Sequence, residues 1–238
     1  MSLNALFSAH LEKNYRIVNL NPYLDSQAHH GFYYYEGIDA ADGKRVFIKV
    51  DGTSGEATRR EAVIVNQLAG DHFPRLVAYE DKPPFPFLAL EWIEGMTLST
   101  LLENRDSLTR RQKQTLLKQL CSILATLHEA GYIHRDIRPD NLMIDMREED
   151  WKLVLIDYSY SMKLGPGAWP ELEFLRERPY LLIDLGGAAN KPAPLIWDDA
   201  YSVRGVALQI DADCERNFPD IWHHLTTWIG KFIYVSNT

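Results

Sequence analysis

The chain has 238 residues, of which 46% are hydrophobic and 24% charged, and its net charge is −8. Length and composition suit one large ordered domain or two lobes and exclude a disordered chain. The acidic balance argues against a nucleic-acid partner, whose phosphates demand a basic surface, and the two cysteines, Cys121 and Cys214, are too few for a disulfide framework. Residues 1–13 lack the basic start and apolar centre of a signal peptide, and no apolar run approaches the length of a membrane span. A cytoplasmic protein in a reducing compartment is therefore expected.

Residues 1–13 read as a short amphipathic helix or a mobile leader. Residues 15–20 and 32–38 alternate as strands, and Asp42-Gly43 marks a hairpin into a strand over residues 44–51. Three antiparallel strands are thus predicted early in the chain. Residues 56–68 carry a helical pattern that stops at Gly70, and residues 73–80 and 87–93 read as strands separated by the proline-rich stretch from Lys82 to Pro86. After Gly95 the pattern turns helical. Thr109 and Gln112 form a capping box, and Leu116, Leu117, Leu120, Ile123, Leu124 and Leu127 supply one apolar face up to Gly131. Residues 141–145 and 152–157 are short apolar strands around a polar turn. Residues 159–197 are rich in glycine and proline and are expected to be extended, with at most one short helix. Residues 199–209 and 218–234 read as the last helices.

The chemistry is concentrated in Ile133-His134-Arg135-Asp136-Ile137-Arg138-Pro139-Asp140-Asn141, followed sixteen residues later by Asp157 at the end of an apolar run. An Asp that can take a proton from a hydroxyl, with an Asn and a second Asp able to hold magnesium on ATP phosphates, is a combination suited to phosphoryl transfer. With Val46-Phe47-Ile48-Lys49 upstream and Trp197-Asp198-Asp199-Ala200-Tyr201-Ser202 downstream, the chain resembles the protein-kinase superfamily over roughly residues 15–209. The resemblance implies an α+β, bilobal protein-kinase-like fold. Residues 1–93 would be a small antiparallel-sheet N-lobe and residues 94–238 a reduced, mainly helical C-lobe, together one domain.

The resemblance also implies roles. Lys49 would neutralise the α- and β-phosphates of ATP and be fixed by Glu61 on the following helix, with Glu56 as second candidate. Leu90, Glu91 and Ile93 match the hinge: Leu90 stands at the gatekeeper position, while Glu91 and Ile93 offer backbone groups to adenine. Asp136 is similar to the catalytic base, Arg138 to the cation that holds the transferring phosphate, and Asn141 and Asp157 to the Mg2+ ligands. His134 and Arg135 would support the loop, Arg135 by meeting the segment that follows Asp157 or its flank. Asp199 would accept hydrogen bonds from the backbone beneath His134 and Arg135.

Several features depart from the family pattern. The loop at residues 23–31 has a single glycine, so Ser26, Gln27 or a histidine would help hold the phosphates. Tyr158-Ser159 replaces Phe-Gly, which predicts a site set without a backbone flip. Ala-Pro-Glu is missing, and Lys191-Pro192-Ala193-Pro194 is at best a partial substitute. The function expected is an ATP- and Mg2+-dependent phosphotransferase acting on a protein or glycan hydroxyl. A Ser/Thr-type protein kinase of minimal size comes first and a carbohydrate, lipopolysaccharide or small-molecule kinase second. A pseudokinase binding module comes third, opposed by the retention of Lys49, Asp136, Asn141 and Asp157. The adjacent pairs His29-His30 and His223-His224 lack metal-hydrolase spacing.

Overall fold

The computed structural model describes residues 3–23, 31–68, 70–103, 108–147 and 151–236. The chain divides into two compact units, Met1–Gln67 with Pro74–Trp92, and Leu68–Phe73 with Ile93–Thr238. Among the described residues no helix is long and apolar enough to cross a membrane.

The first unit contains α1 (Leu3–Tyr15), β1 (Ile17–Pro22), β2 (Phe32–Asp39), β3 (Arg45–Asp51), α2 (Glu56–Gln67), β4 (Leu76–Glu80) and β5 (Phe87–Glu91). Its strands form a five-stranded antiparallel sheet in the order β1-β2-β3-β5-β4. Successive side chains of a strand point to opposite faces, so β3 divides its residues between two environments. Val46 and Ile48, with Phe87 and Ala89 of β5, form the core with Phe7 and Leu11 of α1. Lys49 therefore points to the other face, where α2 packs. Of the two readings of the first residues, the helix is the one found: Phe7 lies 5.2 Å from Phe85 and 5.8 Å from Phe87, ring to ring. The hydroxyl of Tyr15 donates to Glu80 at 2.9 Å. β4 begins at Leu76, later than the alternation suggests, because Pro74 has no N–H to give a ladder.

The second unit begins with β6 (Gly95–Thr97), a strand where the pattern suggested only helix. It pairs with β8 (Leu142–Asp145), which pairs in turn with β9 (Lys152–Leu155). Gly95 makes the first pairing possible, since a Cβ there would stand 1.8 Å from the carbonyl oxygen of Ile144. α3 (Leu98–Leu102) follows, then α4 (Arg110–Glu129), whose Thr109–Gln112 capping box forms as read and whose five leucines and one isoleucine on the predicted face are buried. Each such buried side chain stabilises by roughly 1.5–3 kcal/mol, so this helix anchors the unit.

Beyond α4 come β7 (Tyr132–Ile133), paired with β10 (Met162–Lys163), and then α5 (Glu173–Glu177) and α6 (Pro179–Asp184). Two short helices thus stand where at most one was expected. β11 (Ile196–Asp198) leads into α7 (Asp199–Ile210), followed by α8 (Cys214–Asn217) and α9 (Pro219–Trp228). α9 is shorter than its apolar pattern. The N–H of Gly230 donates to Asp198 at 2.7 Å, and the chain returns as β12 (Ile233–Val235), antiparallel to β11.

Candidate active site

In the first unit, Lys49 and Glu61 are both buried, and the Lys49 ammonium lies 3.1 Å from the Glu61 carboxylate. The Phe32 ring is 4.8 Å from the same nitrogen. Glu56 pairs instead with Arg60, one helical turn along α2. Leu90 is buried on β5, opposite Phe47 of β3, and Glu91 ends the strand, its N–H donating to the Arg75 carbonyl at 2.9 Å. Ile93 is half-buried and belongs to the second unit. Ser26 and Gln27 lie outside the described residues.

In the second unit, Asp136 and Asn141 are buried together. The Asn141 amide donates to the Asp136 carboxylate at 2.8 Å and to its carbonyl at 2.9 Å. With its NH2 so used, Asn141 turns its oxygen away from Asp136. Burial pushes the Asp136 carboxyl up to about 6; Arg138 opposes this, and the Asp157 carboxylate adds to it. Arg138 reaches Asp136 at 3.5 Å and Asp140 at 3.9 Å, with its side chain nearly half exposed.

Asp157 has φ +63° and Arg135 φ +70°, a left-handed conformation that costs non-glycine residues of order 1–3 kcal/mol each. Both are over-determined by their surroundings. The Ser159 hydroxyl donates to Asp157 at 2.6 Å. Tyr158 is buried, with its hydroxyl on the Leu155 carbonyl at 3.0 Å and its ring edge-on to His134 at 4.9 Å. The two departures from Phe-Gly are therefore both satisfied locally. Arg135 gives its Nε–H to the Tyr160 carbonyl and forks onto Glu171 at 2.6 and 3.1 Å. Nothing in the pattern of residues 159–197 marks Glu171, since an irregular segment has no period.

Asp199 lies beneath the loop and is fully buried, accepting the N–H groups of His134 at 2.6 Å and Arg135 at 3.0 Å. Burial pushes its carboxyl up to about 7 against the pull of those two amides. Its neighbour Asp198 caps α7 by accepting from the amides of Ala200 and Tyr201. Asp199→Ala is expected to destabilise the protein by about 1–3 kcal/mol, because it strands two buried donors. A urea melt measures this, and an unchanged midpoint would remove Asp199 from its supporting role.

The groups that could hold a cation are the Asn141 oxygen and the Asp157 carboxylate. Among the described residues, no group of three or more His, Cys, Asp or Glu side chains is arranged to hold a metal ion. A sparse oxygen set suits Mg2+, which keeps several waters and is completed by substrate phosphates, better than it suits a metal that needs an all-protein cage.

Residues 35–174 match the family described as the protein kinase domain. The chain is similar to serine/threonine-protein kinase C of Synechocystis sp., at 30% identity over 149 residues, which cover 55% of this chain and 28% of that protein. It is also similar to maternal embryonic leucine zipper kinase of Xenopus laevis, at 32% over 164 residues, covering 67% of this chain and 23% of that one. A serine/threonine-protein kinase of Nostoc sp. matches at 35% over 105 residues, with 43% and 18% covered. The chain thus spans less than a third of the length of each of these relatives. The family match extends over more than half of the sequence and takes in Lys49, Glu61, the Asp136–Asn141 loop, Asp157 and Glu171, and on that ground the chain belongs to the protein kinase domain family.

Proposed function

We propose that this protein is an ATP:alcohol phosphotransferase, a Ser/Thr-type protein kinase of minimal size that works with Mg2+. Its two units serve as the N- and C-lobes of one kinase-like domain. The observation that carries the reading is the buried pairing of Asp136 with Asn141, next to the strained Asp157. Asp136 is the base: it orients the acceptor hydroxyl and takes its proton as the oxygen attacks the γ-phosphorus, while the bond from that phosphorus to the β-phosphate oxygen breaks and ADP leaves. Asn141 and Asp157 would hold Mg2+, which when bound screens the phosphate charge. Lys49, fixed by Glu61, neutralises the α- and β-phosphates, and Leu90, Glu91 and Ile93 place the adenine. Ser26 and Gln27 are candidates for phosphate contact in the glycine-poor loop. Arg138, partly exposed beside Asp136, steadies the transferring group, which a guanidinium can grip with two N–H bonds.

A protein acceptor is favoured over a sugar because the two tryptophans of residues 159–197, the broadest surfaces there for a sugar ring to stack on, are engaged in packing. Trp197 is buried under Arg135 and Lys191, and Trp169 packs on Tyr132. The names of the similar proteins support the Ser/Thr assignment. The cysteines Cys121 and Cys214 are both free thiols, in keeping with a cytoplasmic setting. The test is incubation with γ-labelled ATP and Mg2+, either alone, with generic protein substrates, or with envelope glycan extracts. Label on Ser or Thr of protein is the expected result, and label confined to the glycan fraction would overturn the acceptor assignment.

A pH dependence follows from the Asp136 carboxyl. Burial disfavours its charged form, so the proton stays on to a higher pH than on an ordinary aspartate. A base must be unprotonated to act, so kcat/KM is expected to fall as the pH drops through about 6. The pH profile checks this, and an acid limb near the ordinary aspartate range would contradict it.

A further inference from the structure

Lys191 is a lysine with almost no access to water, at 4% exposure, in a segment the proposed reaction does not use. A buried ammonium is costly unless its donors are met, and here two of the three meet backbone carbonyls. Its Nζ donates to the Ile183 carbonyl at 2.5 Å and to the Leu185 carbonyl at 2.6 Å, and it stands 5.3 Å from the face of Trp197. The Trp197 indole N–H donates to that same Leu185 carbonyl at 3.1 Å, and the Asn190 amide to the Gly186 carbonyl at 3.1 Å. The turn that ends α6 thus has the carbonyls of residues 183, 185 and 186 capped by side chains from the segment that follows.

The capped turn is seated on the catalytic loop. Gly186 has φ +83°, and a Cβ there would lie 2.6 Å from the carbonyl oxygen of Arg135. Arg135 immediately precedes Asp136 and itself holds a left-handed φ of +70°. Asp199 fixes the amide of Arg135 from one side, while the Gly186 backbone closes on its carbonyl. The peptide joining Arg135 to Asp136 has little freedom while the turn stays in place.

We propose that Lys191 is a positioning residue: by capping the 183–186 turn it holds Gly186 against the Arg135 carbonyl and so fixes the backbone that presents the Asp136 carboxylate. Its role runs through the turn and not through direct contact with substrate: two of its three N–H donors are spent on the turn carbonyls, and the side chain is buried. This inference rests on Asp136 being the base.

The closing experiment combines hydrogen exchange with kinetics on the full chain, in Lys191→Met, Lys191→Arg and the milder Asn190→Ala. In Lys191→Met, exchange of the peptide covering residues 132–138 quickens at least several-fold while that of α4 does not. Its kcat falls by about tenfold or more with the KM for ATP held within about twofold, the split expected when orientation and not binding is lost. Lys191→Arg, which keeps a cation and its donors, recovers part of kcat, and Asn190→Ala shows a smaller effect in the same direction. Uniformly faster exchange with an unchanged kcat per folded molecule would make Lys191 merely structural. Unchanged exchange at residues 132–138 would overturn the proposal outright. Should the wild-type chain transfer no phosphate, the proposed reaction fails on that result, while the exchange measurement still decides whether Lys191 holds the loop.

Discussion

Glu171→Ala is expected to be the most destabilising single change in the second unit, at about 3–5 kcal/mol, because it leaves a buried guanidinium without its counter-charge. Arg135 is 1% exposed and Glu171 is 7% exposed, and two N–H groups of one meet two oxygens of the other. The faces of Trp197 and Tyr234, each 5.1 Å from the guanidinium carbon, complete its surroundings but carry no formal charge. Glu171→Gln keeps an acceptor in place and should cost less, about 1–3 kcal/mol. Urea midpoints for the two variants give the comparison. Equal and small losses would mean that Arg135 finds water or another partner when Glu171 is gone.

Asp157→Ala is expected to lower turnover by at least about 10²–10³-fold while leaving the urea midpoint close to wild type. Its carboxylate is half-buried and, in the proposed function, serves the phosphates and not the core. Lys49→Ala should lower turnover comparably but also lower the midpoint, since it leaves the carboxylate of Glu61 buried without its ammonium. The contrast between the two is informative: both residues are proposed to act on the same ligand, but Lys49 belongs to a buried ion pair. A turnover within about threefold of wild type in Asp157→Ala would remove the metal role assigned to that residue.

Much of this architecture is legible in the residues themselves. Alternation located the central strands of the first unit, and the Thr109–Gln112 box with its apolar face located α4 closely. The resemblance implies an ion pair between Lys49 and Glu61 despite the short interval of twelve residues, and those side chains meet at 3.1 Å. The Asp199 hydrogen bonds to the loop amides also form where the motif suggested them. What the pattern missed has two physical causes. Strands of three residues, such as β6 and β12, are too short to show alternation, and their pairing depends on Gly95 and on the turn at Gly230. The contacts of Glu171 and Lys191 lie in an irregular segment, where no period links sequence position to direction. Their partners, Arg135 and the 183–186 turn, are set by tertiary placement alone.

The departures at Tyr158 and Ser159 have a common consequence. The tyrosine hydroxyl and the serine hydroxyl each make a bond that Phe and Gly cannot, on the Leu155 carbonyl and on Asp157 respectively. Together with the Arg135–Glu171 pair, they brace the Asp157 side chain, the Tyr158 ring and Arg135 through contacts within the second unit.

The central claim, that Asp136 serves phosphate transfer from ATP to a hydroxyl, is tested most directly by following γ-labelled phosphate from ATP·Mg2+ into acceptor with the wild-type chain and with Asp136→Ala side by side. The account predicts measurable transfer by the wild type and a loss of about 10²–10⁴-fold in the variant, at an unchanged urea midpoint. Transfer at the wild-type rate by folded Asp136→Ala, or none by the wild type to either protein or glycan, would contradict it.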